Sequence, residues 1–255
     1  MLKWILGVHK KANNNFCYGD TGRNPWAIDV IPQCVSYFVR ASQAATETVN
    51  TLLHHTFKEQ EQLKLTWYDT WSTITRDSTA AKPELSAAQA AKEFLCEKFI
   101  NQWKSELESQ PKMSFYSAIK TEFGEEPYLQ LESRLHRANI AKIRSSSHDL
   151  RIETGRYDAG KTSSVKSLKA SRFCHDVDSL SILEVLPFFE DPTPESEEHA
   201  LTECPGYHHL RLRLSDNLKS LIMLKAYKSI MSSLHLKEFG QYLTDCSRLR
   251  THLTN

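Results

Sequence analysis

His199 and Cys204, five apart in "EEHALTECPGYHHLR", have the types and spacing of the second arm of a zinc site. A closed structural zinc site takes four nitrogen or sulfur ligands in a tetrahedron, and the first pair usually arrives as two cysteines separated by two to four residues. Upstream, the cysteine within reach is Cys174, in "SRFCHDVDS", and the position three further on is Val177. His175 is its immediate neighbour, and adjacent side chains seldom both reach one ion. Cys174, His199 and Cys204 are therefore the candidate donors of an incomplete set. Zinc is the ion they would suit, and the expectation is that no cofactor is held.

A second group of residues suits phosphate chemistry. Between Arg134 and Arg172 the chain carries ten basic residues, opposed only by Asp149, Glu153 and Asp158. From Asp176 to Glu203 the balance reverses, with nine acidic residues and no lysine or arginine. Arginines and lysines that displace counterions from a nucleic acid backbone bind it in a strongly salt-dependent way. The candidates are Arg134, Arg137, Lys142, Arg144, Arg151 and Arg156, with Tyr157 placed to stack on a base. The same charges equally suit a solvated helix face, paired with the acidic stretch that follows. Spacing does not decide between the two.

Catalytic patterns are weak. "GRYDAGKT", residues 155–162, satisfies the phosphate-loop spacing of Gly, four residues, Gly, Lys and Thr. Such a loop must leave a buried strand and open a helix. "SSSHDLRIET" before it is no apolar strand, and "SSVKSLKAS" after it is a poor helix. The adjacent histidines 54–55 and 208–209 diverge, so neither pair chelates alone. No catalytic residue is assigned, and the chain is not expected to be an enzyme.

The elements that would position these groups read as helices. Glycine is scarce, at eight residues in 255, and alternation of the strand type is hard to find. Leu85, Ala88, Ala91, Leu95, Phe99, Trp103 and Leu107 fall three or four apart, which predicts a helix over 84–108 with one apolar face. "PWAIDVIPQCVSYFVRASQ" predicts another helix, or two, interrupted near Pro32. Shorter amphipathic pieces follow at 66–76, 114–122 and 127–146. The last third predicts two or three helices, with Phe239, Tyr242, Leu243 and Cys246 spaced for packing. The fold class is mainly α, a bundle-like helical domain followed by a basic helix, a linker and a small helical C-terminal region.

An apolar fraction of 40% with 25% charged residues is ordinary globular composition, and the net charge of +1 gives no bulk attraction to nucleic acid or membrane. Six scattered cysteines suit a reducing compartment. No run approaches the roughly 18 apolar residues of a membrane span. "MLKWILGVHKK" puts its lysines after a short apolar run, unlike a secretory signal. An intracellular location without a membrane partner is expected.

Four blocks of the sequence resemble, in order, the region following the polymerase core of animal non-LTR (LINE-type) retrotransposon reverse transcriptases. They are "KWILGVHKKANNNFCYGDTGRNPWAIDV", "FINQWKSELESQPKMSFYSAIKTEFGEEPYL", "IAKIRSSSHDLRIETGRY" and "EEHALTECPGYHHLR". Together they run from about residue 3 to 214. The family's zinc knuckle completes the His199/Cys204 arm with two cysteines, of which Cys174 stands for the first and Val177 replaces the second. The resemblance thus implies a degenerate knuckle. The polymerase's paired carboxylates are absent from the chain.

The resemblance implies a non-catalytic, retroelement-derived fragment, acting as an accessory module that binds RNA or single-stranded DNA. Two alternatives stand beside it: a helical module that binds protein partners, and a pseudogene-like product without selected function. Three regions are expected: a helical domain over 1–157, a linker and acidic insert over 158–198, and the degenerate arm with C-terminal helices over 199–255.

Overall fold

The computed structural model describes residues 1–43, 52, 55, 59, 66–82, 85–148, 150, 196–231 and 234–254. These are mainly helical, as composition and spacing require, and among them no strand forms beyond one isolated bridge between Thr21 and Glu125. Among them, too, no helix is long and apolar enough to cross a membrane.

The chain divides into two compact units, one of residues 1–22 with 107–255 and the other of residues 23–106. Residues 196–254 belong to the same unit as the first 22 residues, because their apolar faces are satisfied there. The 158–198 stretch lies outside the described residues, except for its last three.

Within the first unit, α1 (Leu2–Leu6) and α2 (Asn14–Thr21) are followed, beyond the second unit, by α6 (Ser114–Ile119) and α7 (Arg134–Arg144). Then come α8 (Glu197–Thr202), α9 (His208–Arg211), α10 (Asp216–Met223), α11 (Tyr227–Met231) and α12 (Leu236–Thr254). Where two or three helices were expected in the last third, four form from residue 208 onward. Ser215 divides α9 from α10 by capping the latter, its hydroxyl accepting from Leu218 N at 3.4 Å. Lys225, at φ 55°, turns the chain between α10 and α11.

Helices α7 and α12 form the centre of this unit. Gly240 allows their close approach: a Cβ there would stand 2.7 Å from the Cβ of His136. The seam is polar as well as apolar. Asn139 Nδ2 donates to Thr244 Oγ1 at 3.0 Å, and both residues are buried. Phe239, Tyr242 and Leu243, spaced along one face of α12, are buried as expected; each such side chain contributes on the order of 1.5–3 kcal/mol.

On the opposite side of α7, Gly7 ends α1 in the left-handed conformation at φ 68° and ψ 24°. Any side chain at that position would be strained, and its Cβ would also stand 2.6 Å from the Cβ of Ala138. Gly7 thus fixes α1 against α7.

The second unit holds α3 (Trp26–Gln43), α4 (Thr66–Ala81) and most of α5 (Ala87–Ser109). α3 runs through Pro32 without interruption, which corrects the expected break. Pro32 withdraws one N–H from the ladder, but it is buried, as are Ile28 and Val35. Burial of that face outweighs one missing hydrogen bond. In α5, Ala91, Trp103 and Leu107 of the expected face are buried, while Leu95 and Phe99 are half-exposed. Lys82 Nζ, ahead of this helix, reaches Glu93 at 2.7 Å and Glu97 at 2.8 Å.

Candidate functional site

The basic helix α7 begins at Ser133, whose hydroxyl accepts from His136 N at 3.3 Å. From there its cations meet different surroundings. Arg134 is exposed, with its guanidinium 4.8 Å from the ring centre of Trp4. Arg137 is half-exposed and donates back to the carbonyls of Leu131 and Glu132. Lys142 is half-buried and lines a small apolar cavity of about 60 Å³ with Ile143, Leu150, Leu201 and Leu243. Arg144 is fully buried. Arg151, Arg156 and Tyr157 lie outside the described residues.

Arg144 is therefore not at a surface where a phosphate backbone could meet it. Its Nε and one terminal nitrogen bind Asp20 side-on, at 2.9 and 2.8 Å, and that same nitrogen lies 3.0 Å from Glu126. Asp20 accepts two more hydrogen bonds, from Tyr116 Oη at 2.9 Å and Tyr128 Oη at 2.8 Å. The two phenol rings flank the guanidinium, with centres 5.4 and 5.5 Å from it. Glu126 is held from its other side by Lys120, whose ammonium is 2.5 Å away and also donates to the carbonyl of Gly124 at 2.6 Å.

Such a group of buried charges is tolerable because nearly every lone pair is occupied. Burial by itself disfavours the Arg144 cation, yet Asp20 and Glu126 hold its pKa above the ordinary arginine range. Burial and the neighbouring Asp20 carboxylate both push Tyr116 and Tyr128 well above the usual phenol range. The two phenols are donors here, not acids.

Past Arg144 the helix ends on Ser146 at φ 47°, with Ser147 N donating to Lys142 O at 3.0 Å. This turn aims the next side chains at the start of α8. Ser146 Oγ donates to Glu197 Oε1 at 2.5 Å, and His148 Nε2 lies 2.8 Å from the same oxygen. His148 Nδ1 accepts from Leu150 N at 3.2 Å, which assigns the ring proton to Nε2, facing Glu197. Burial raises the pKa of the Glu197 carboxyl, but the hydrogen bonds from His148 and from the Ser146 hydroxyl outweigh it and hold it at about 2. "RSSSH" thus supplies internal contacts where the sequence suggested phosphate donors.

The zinc-like arm lies in the same place. Ser196 caps α8, its hydroxyl accepting from His199 N at 3.2 Å, and Cys204 N donates to His199 O at 2.8 Å. His199 and Cys204 are both buried, and the His199 Nδ1 lies 3.7 Å from Glu203. Cys174 and His175 lie outside the described residues. Among the described residues no three His, Cys, Asp or Glu side chains gather as a metal would require. The two donors in view are placed by α8 and its packing. The phosphate-loop match at 155–162 also lies outside the described residues. His208 and His209 are exposed at the start of α9.

Asp20, Tyr116, Tyr128 and Glu197 were not singled out as site residues. Their signal was present nonetheless: each is a polar residue inside one of the four quoted blocks, on or beside a run of buried apolar neighbours. Comparison with protein-family models, with curated proteins and with solved structures finds no match.

Proposed function

We propose that this chain is a non-catalytic helical module, derived from the region that follows the polymerase in LINE-type reverse transcriptases, and that it binds single-stranded nucleic acid. One observation carries the reading. The polar residues of the four family-like blocks are one another's partners: Asp20 from the first, Tyr116, Lys120, Glu126 and Tyr128 from the second, Arg144, Ser146 and His148 from the third, and Glu197 from the fourth. These residues of the four blocks thus meet within one folded unit.

The same arrangement supports a role without chemistry. Asp20, which is buried, and Glu126, which is partly buried, share Arg144, and Lys120 is the second cation on Glu126. Asp20 is thus closed to a metal ion or a substrate proton. Among the described candidates, Arg134, Arg137 and Lys142 remain at least partly at the surface, where they can meet a phosphate backbone.

Titration of the full chain with a labelled single-stranded RNA at several salt concentrations tests the reading. Binding that is indifferent to sequence and weakens steeply with salt is expected. Replacing Arg151 and Arg156 together by glutamine should weaken RNA and single-stranded DNA binding alike while leaving the helical circular dichroism intact. A parent protein that binds neither at low salt favours the alternative, a module for protein partners. An upstream reverse transcriptase frame in the flanking genomic sequence would test the origin.

A further inference from the structure

The charge of this protein is nearly balanced as a whole, at +1, but not locally. Helix α1 packs against α2 and α7. Over residues 1–21 and 134–144, which span those three helices, the acidic residue present is Asp20, and it is buried with Arg144. The cations left at or near the surface are Lys3, Lys10, Lys11, Arg134, Arg137 and Lys142. The nearest exposed carboxylate along the chain is Glu132, just ahead of α7. These segments carry six cations near the surface and no surface acid of their own, a local excess of positive charge with Glu132 and, on α12, Asp245 as neighbouring carboxylates.

Within that region lies an exposed apolar face. Trp4 is 70% exposed and Ile5 49%, one turn or less apart along α1, with Leu135 of α7 48% exposed. An indole left this far in water is costly unless something covers it. Arg134 lies over the Trp4 ring at 4.8 Å, a contact that orients both groups but leaves most of the indole exposed. Lys3 Nζ donates to Lys10 O at 2.8 Å, which brings the "HKK" turn, His9 to Lys11, back beside α1. All three residues of that turn are exposed.

We infer that Trp4, with Arg134 over it and Lys10 and Lys11 on the turn that follows α1, is a stacking platform for an unpaired base of single-stranded nucleic acid. The inference rests on the nucleic-acid reading above and assigns it a surface. An exposed aromatic ring in a cationic groove is what binds a single strand irrespective of sequence, because every base offers a flat face. A duplex keeps its bases stacked on one another and cannot offer one to Trp4. A protein partner would need carboxylates for these cations and would gain little from an indole already shared with a guanidinium.

Fluorescence anisotropy of the full chain with labelled oligo-uridylate and oligo-thymidylate of about 20 nucleotides, and with a duplex of equal length, tests this. Trp4→Ala should weaken single-strand binding about tenfold, and Trp4→Phe should restore most of it. Arg134→Gln should lower the slope of log affinity against log salt by about 0.7, the value for one phosphate contact on a single strand. Trp26→Ala removes a ring of similar exposure, 75%, from the other unit and should change nothing. Trp4 is at the surface, so the variants should keep the parent's circular dichroism.

Parent-like binding by Trp4→Ala overturns the platform while the nucleic-acid reading stands. Preference for the duplex overturns it as well. No binding by the parent overturns both. Self-association that Trp4→Ala abolishes in the absence of nucleic acid would give the face to a protein contact, against the proposal.

Discussion

The two ends of α7 carry the same residue in opposite circumstances. Arg134 at its start and Arg144 at its end each place a guanidinium over aromatic rings, at 4.8 Å for Trp4 and 5.4 and 5.5 Å for the two tyrosines. Arg134 is exposed, with the Trp4 indole against it. Arg144 is buried, with Asp20 and Glu126 to balance it. The difference is not in the arginines. It lies in what the neighbouring elements bring to each end: α2 brings a carboxylate to Arg144, whereas α1 brings an apolar ring to Arg134. A basic helix can thus serve the core at one end and stay in water at the other.

The largest effect should come from breaking the buried end. Arg144→Met leaves Asp20 charged and buried without its main partner, at a cost of about 3–5 kcal/mol. Urea unfolding should show this as a large fall in midpoint, or as failure to fold. Near-parental stability would mean that Asp20 had found another partner or become protonated.

A comparable loss is expected from a buried ring in the second unit. Trp103 is 1% exposed, and Trp103→Ala should cost about 3–5 kcal/mol. A melting curve that overlays the parent's would show that the α5 face contributes little.

A smaller effect belongs to Glu197. Its carboxyl is held at about 2, below its ordinary 4.5, so the folded state favours the charged form. The stability this supplies is present above pH 4.5 and is lost as pH falls from there toward 2. Glu197→Gln should cost about 1–3 kcal/mol at neutral pH and should flatten the acid limb of a melting-temperature profile over that window. An unchanged acid limb in the variant would mean that other carboxylates set it.

The smallest change should be at the exposed end. Arg134→Gln should shift stability by no more than about 0.5 kcal/mol, in the same unfolding assay that registers Arg144→Met. A loss similar to that of Arg144 would erase the contrast between the two ends.

Much of the helical content was legible in the sequence. The spacing from Leu85 to Leu107 marks α5, and that of Phe239, Tyr242 and Leu243 marks the buried face of α12, because a 3.6-residue period puts those positions on one side. The candidate site was less legible. Arg134 and Arg144 look alike in a list of basic residues, and no local pattern tells which will find a carboxylate. Asp20 lies more than a hundred residues from Arg144, and His148 about fifty from Glu197. Pro32 was equally ambiguous, since a proline marks a lost hydrogen bond but not the burial that offsets it.

The sequence by itself determined that this protein is helical, that its charge is locally segregated, and that His199 and Cys204 stand in a zinc-like arm. These are properties of type and spacing along the chain, and local physics suffices to read them. Only the tertiary structure decided which cations remain in water. That choice depends on whether a distant segment delivers a compensating carboxylate, because a charge can leave water only when its partners arrive with it.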